Sequence, residues 1–166
     1  MTHVARVNPD KDDYETPPEL FKPLNKVYNY TVDAAADEYN HLCNIWLPNA
    51  FSYGWNPYYD RSICVWCNPP FSKKEQFLER ALDFRQKCSV ISFLLPNNAR
   101  ETSWWNELVV PYADQVINCI RRANFYYKGK VVRGTPFPIC IVNFYPRLEQ
   151  AIYDIPKEIY WDWKSE

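Results

Sequence analysis

The residues best suited to chemistry in this chain are Asn68-Pro69-Pro70-Phe71, which follow the apolar segment Ile63-Cys64-Val65-Trp66-Cys67. The amide oxygen of Asn68 and the backbone carbonyl of Pro69 are pure acceptors, so together they can take both N–H bonds of one amino group. An amino group conjugated to a ring is a poor nucleophile, because its lone pair is delocalised. Holding both protons frees that pair to attack an electrophile. The two prolines fix φ and restrict the residue before them, so the acceptor carbonyl is in place before a substrate arrives. Phe71 offers a π-face on which a planar ring can stack. The same tripeptide also serves as a stiff turn after a strand, and the flanking residues decide in favour of a catalytic loop.

Those flanks are the elements that must position the loop. The apolar run before Asn68 reads as a strand. Ser72 and Glu75 fit a capping box, and Phe77, Leu78, Ala81 and Phe84 repeat at helical spacing. A strand-to-helix junction of this kind lies at the carboxyl end of a strand, where open α/β sheets carry their sites. Near the start of the chain, Thr16 is expected to cap a helix opened by Pro17 and Pro18, with Glu19 completing a second capping box. Asp33 ends the alternating run from Tyr28 to Val32, and Ala34, Ala35 and Ala36 leave room for a ligand against the backbone. Asp33 is either an acid that meets a ligand or the N-cap of a following helix, on which His41 would lie.

Several segments in a fixed order support a family resemblance: Tyr14 to Phe21 with its Thr16-Pro17 pair, Val32 to Ala36, the Asn68 loop, Phe93 to Pro96, and Arg121 to Phe125 followed by Pro136 to Phe144. Together they resemble S-adenosylmethionine-dependent amino-methyltransferases with an Asn/Asp-Pro-Pro-Tyr/Phe motif, and more closely the small phage-type DNA N6-adenine methyltransferases. The resemblance implies a compact Rossmann-like α/β methyltransferase sheet, mostly parallel, with an antiparallel closing strand pair near Asn124 to Tyr145. It implies Asn68, Pro69, Pro70 and Phe71 as catalytic residues. Thr16, Pro17, Asp33, Ala34, Ala35 and Asn68 would be cofactor-binding, with no metal. The acceptor would be the N6 amine of an adenine flipped out of DNA.

One departure is the missing Gly-x-Gly of the wider superfamily, since the only glycines are Gly54, Gly129 and Gly134. The stretch between Asp33 and Asn68 is also too short for the usual series of strand-helix units, so a pared-down sheet is expected. The ribose-binding acid is unassigned, with Glu38 and Asp60 as weak candidates.

The chain has 166 residues, 47% of them hydrophobic, which is enough for one core and too few for a second domain. Residues 1–13 read as a flexible N-terminus, 14–150 as the methyltransferase domain, and 151–166 as a tail packing on it or on a second subunit, making a homodimer possible. Without an apolar leader or spanning stretch, a cytoplasmic protein is expected, in the host cytoplasm if phage-encoded. Cys64 and Cys67 form a Cys-x-x-Cys, but on a strand they point to opposite faces, which favours buried thiols over a metal site.

A formal net charge of −1 excludes a general nucleic-acid coat protein and leaves room for a local basic face. Candidate DNA-binding residues are Ser72, Lys73, Lys74, Asn98, Arg100, Arg121, Arg122, Lys128 and Lys130. The segment from Asn97 to Trp105 could read bases, with one of Trp104 and Trp105 buried, and Tyr126 to Gly134 could form a basic hairpin. The charges could equally be solvated faces. Two other functions fit the same loop: methylation of RNA or of a protein glutamine amide, and a non-catalytic nucleic-acid-binding module with a degenerate cofactor site.

Overall fold

The computed structural model describes residues 9–98, 100–134, 137–147 and 155–165. Among them, nine strands and two α-helices form a mixed α/β fold: β1 (Val32–Asp33), β2 (Ile45–Trp46), β3 (Cys64–Cys67), β4 (Val90–Pro96), β5 (Gln115–Cys119), β6 (Tyr126–Tyr127), β7 (Lys130–Val131), β8 (Ile139–Phe144) and β9 (Lys157–Trp161), with α1 (Pro18–Tyr28) and α2 (Lys74–Phe84). Seven strands make one sheet in the order β2-β1-β3-β4-β8-β5-β9, and β6 and β7 pair separately as a hairpin. Strand β8 alone is antiparallel to its neighbours, β4 and β5. The other sheet pairings are parallel.

Strands β4 and β8 are buried along their whole length, as expected of central strands covered on both faces. Alternate residues feed two cores. Val65, Cys67, Ile91 and Phe93 meet Phe77, Leu78 and Ala81 of α2, together with both Trp104 and Trp105. Trp66, Leu94, Ile117 and Ile141 meet Leu20, Phe21 and Leu24 of α1. Cys67 belongs to the first core and Cys64 packs against the second, so the Cys-x-x-Cys pair is split across the sheet. Helix α1 stops at Asn29, whose left-handed backbone (φ 53°) closes the last turn through an N–H bond to the Asn25 carbonyl.

Three expectations are corrected here. The antiparallel partners of β8 are β4 and β5, the latter ending at Cys119, whereas Arg121 to Phe125 is the connection from β5 to the β6–β7 hairpin. No helix lies between Asp33 and β2. His41 sits in a loop, stacked on Trp46 with ring centroids 5.3 Å apart. Trp104 and Trp105 are both buried, at 5% and 4% exposure, because a π-helical turn over Trp105–Val109 rolls both rings into the core beside α2. At the end of the chain, β9 runs parallel to β5 as the sheet's edge strand, and the buried Trp163 donates its indole N–H to the Arg121 carbonyl. No helix among the described residues is long and apolar enough to cross a membrane.

Candidate active site

Strand β1 has β2 on one side and β3 on the other, so the chain leaves β1 in one direction and returns across it. Clefts form outside the carboxyl ends of strands at such a switch point. A cavity of about 840 Å³ lies there, lined by residues that follow β1, β2 and β3 and by residues preceding α1. Its walls carry five carboxylates, Asp12, Asp13, Glu15, Asp33 and Asp37, against the two lysines Lys73 and Lys128. That balance suits a cationic ligand and disfavours a phosphate chain. Thr16, Asp33, Ala34, Ala35 and Asn68 all line it, with Ala36, Leu47 and Asn49. Pro17 does not. It is the buried N-cap of α1.

Asn68 leaves the end of β3 half-buried, and its Nδ2 donates to the Tyr14 carbonyl at 3.0 Å. That bond fixes which end of the amide is which. The nitrogen is held by the strap of chain before α1, and no described residue donates to Oδ1, so the acceptor oxygen is left for a ligand. Pro70 lines the cavity, whereas Pro69 is buried and outside the lining. Phe71 lies outside the cavity lining, in an aromatic cluster with Phe137 (5.0 Å), Tyr14 and Phe125 (6.3 Å each).

Neither capping box forms. Pro17, not Thr16, is the N-cap of α1: Pro18, two residues after Thr16, has no N–H for its hydroxyl, and the Pro17 carbonyl takes the N–H groups of Leu20 and Phe21. Thr16 is buried and faces the cavity. At α2 the N-cap is Lys73, without a side-chain cap, since Ser72 is held by Asp12: its N–H donates to Oδ1 at 2.8 Å and its hydroxyl to Oδ2. Losing a Ser cap costs a helix about 1 kcal/mol, and the carboxylate bond to the Ser72 N–H offsets it. Lys74 donates to the Phe71 carbonyl at 3.0 Å and lies over Trp104 at 5.2 Å, so it fastens the loop that follows Asn68.

Asp33 is 4% exposed, and each carboxylate oxygen accepts a backbone N–H, from Ala35 at 3.3 Å and from Leu42 at 3.0 Å. It therefore shapes the loop that walls the cavity. Burial pushes its carboxyl up to about 7, against the pull of those two N–H groups and of His41. Because this folded value lies above the ordinary one, the native state binds more protons than the unfolded chain between about pH 4 and 7. Asp33 thus contributes stability that is full below pH 4 and is lost as pH rises through 7. Asp33→Asn is expected to flatten the fall in denaturation midpoint across that window; an unchanged slope would show that Asp33 is already ionised at pH 5. Of the two weak ribose candidates, Glu38 is exposed and outside the lining, and Asp60 accepts from the Ser62 N–H and hydroxyl.

The hairpin turns through Lys128 (φ 49°) and Gly129 (φ 73°), the two left-handed residues of a tight I′ turn. It is pinned to the strap by paired backbone bonds between Glu15 and Tyr126 and by the Gly129 N–H on the Glu15 carboxylate at 3.0 Å. This places Lys128 at the cavity rim and Lys130 exposed beside it. Lys73 is exposed at the cavity, and Asn98 and Arg122 are exposed elsewhere. Arg100 is half-buried, bonded to Asn97, Asn118 and Glu158 and stacked on Trp105 at 4.7 Å. Arg121 forms an ion pair with Asp162. Sequence reasoning passed over Asp12, Tyr14 and Glu15 as site residues, since a polar stretch ahead of a helix carries no local signal that it will fold across a loop far away in sequence.

Residues 4–133 match the model of the family described as DNA N-6-adenine-methyltransferase (Dam). A DNA N-6-adenine-methyltransferase of Escherichia phage T1 is 31% identical over 101 residues, covering 58% of this chain and 40% of that protein, so the chain spans less than half the length of this relative. With the match covering most of its length, the chain belongs to the DNA N-6-adenine-methyltransferase (Dam) family.

Proposed function

We propose that this protein transfers a methyl group from S-adenosylmethionine to the N6 amine of adenine in DNA, on a base rotated out of the helix, and that its sheet is a pared-down Rossmann-like methyltransferase sheet. The observation that carries the proposal is the Nδ2 bond of Asn68 to the Tyr14 carbonyl, which leaves Oδ1 as an acceptor at the edge of an acid-lined cavity. When bound, S-adenosylmethionine supplies an electrophilic methyl on a sulfonium centre. Thr16, the loop from Asp33 to Ala36, and Leu47 to Asn49 would hold it, and the surrounding carboxylates suit its positive charges.

Asn68 Oδ1 and the Pro69 carbonyl then take the two amine protons of the target base, which restores the nucleophilic lone pair. Phe71 presents a ring face to the base, held in place by Phe137 and the Lys74 bond to its carbonyl. Alignment and a preformed acceptor pair supply the catalysis. For DNA contacts the proposal relies on Lys73, Lys128 and Lys130, which surround the cavity mouth, more than on Arg100 and Arg121, whose charges are already matched by Glu158 and Asp162.

The test is transfer of labelled methyl from S-adenosylmethionine to unmethylated DNA, followed by digestion to nucleosides. Label on N6-methyladenosine is the expected outcome. Label only on RNA or on protein glutamine would overturn the acceptor, and a protein that does not bind S-adenosylmethionine would overturn the enzymatic reading.

A further inference from the structure

The strap that precedes α1 touches the catalytic loop at both of its ends. Tyr14 accepts from Asn68, and Asp12 accepts from Ser72 through both carboxylate oxygens. Between these two anchor points lie Pro69 and Pro70, whose fixed φ leaves the segment little slack. A displacement of Ser72 is therefore passed to Asn68. The N–H of Ser72 is one of the first donors of the helical segment, and neither N-cap there, Pro70 or Lys73, offers a side-chain cap.

We propose that Asp12 is a positioning residue for methyl transfer: its carboxylate caps the start of the catalytic helix from sixty residues earlier in the chain and so holds Asn68 in its accepting orientation. This rests on the proposed function of the same site. The carboxylate is kept charged for the role. Partial burial opposes ionisation, but the bonds from Ser72 and the nearby Lys73 and Lys74 outweigh it and hold its pKa below the usual carboxylate range. Asp12 acts on the loop and not on the amine.

Asp12→Ala is expected to lower kcat about tenfold, because a small misplacement of a reacting group is costly, and Ser72→Ala, which loses the hydroxyl bond but keeps the N–H bond to Asp12, should lose less. The double variant should fall no further than Asp12→Ala, since the hydroxyl bond is already lost with the carboxylate. Asp12→Asn, which keeps an acceptor for the Ser72 N–H, should recover part of the loss. Affinity for S-adenosylhomocysteine, measured by calorimetry, should stay within about threefold throughout. Unchanged kcat in both single variants overturns the proposal. So does a loss of cofactor affinity that matches the loss of rate, which would make Asp12 a cofactor ligand. Backbone hydrogen exchange over residues 68–76 separates this from failure of the proposed function. Faster exchange in Asp12→Ala supports the latch whatever the acceptor proves to be, and unchanged exchange overturns it.

Discussion

Asn68→Ala is expected to reduce methyl transfer by about 10²- to 10³-fold, the range seen when one preorganised group that stabilises a transition state is removed. The bond from Nδ2 to the Tyr14 carbonyl means that the wild-type side chain needs no reorganisation when an amine arrives. Alanine removes the acceptor and also releases the strap carbonyl, but it leaves the rest of the cavity wall, Asp33 to Asp37 and Leu47 to Phe51, in place. Cofactor affinity should therefore change by no more than about threefold while kcat collapses, the pattern of a contact made in the transition state. Asn68→Asp is a sharper probe. It keeps two acceptor oxygens but cannot donate to Tyr14 unless it is protonated, so an intermediate rate is expected, with the deficit growing as pH rises. Full activity in Asn68→Ala would remove Asn68 from the chemistry.

Where local patterning and tertiary structure agree, the sequence was sufficient. The apolar run before Asn68 is β3, and the spacing of Phe77, Leu78 and Ala81 is the buried face of α2. The segment from Phe93 to Pro96 lies in the central strand β4, which starts three residues earlier, at Val90. What stayed hidden depended on partners distant in sequence. Ser72 has the right neighbours for a capping box, yet Asp12 offers it a charged acceptor, and a charge-assisted bond is the stronger. Arg100 and Arg121 look like phosphate contacts until Glu158 and Asp162 arrive on the strand and turn at the end of the chain. Thr16 is different, because the competition was local: Pro18 has no N–H for its hydroxyl, and the Pro17 carbonyl takes the first helical N–H groups instead.

The largest expected loss of stability lies at the opposite edge of the sheet, at Asp114. Its carboxylate lies between two nearly buried guanidinium groups, Arg85 at 2.6 Å and Arg147 at 2.7 Å, and also accepts the Tyr145 N–H at 2.8 Å. Arg85 in turn donates to the Tyr145 and Tyr112 carbonyls, and Arg147 to those of Pro111 and Ala113. The cluster ties the end of β8 to the start of β5 and to the turn after α2. Carbonyl bonds satisfy the N–H groups of the arginines but do not neutralise them. Removing the carboxylate leaves two like charges side by side with little water. Breaking a buried ion pair from one side costs about 3–5 kcal/mol, and Asp114→Ala is expected to fall in that range by urea denaturation. Asp114→Asn should lose less, since its amide oxygen can still accept from Tyr145. A cost below about 1 kcal/mol for Asp114→Ala, the value of an exposed pair, would show that water reaches both arginines. The double variant Arg147→Met, Asp114→Ala should be more stable than Asp114→Ala alone, because it removes one of the two like charges that the carboxylate held together. That ordering would establish charge burial as the cause, and a double variant less stable than the single would point to lost packing.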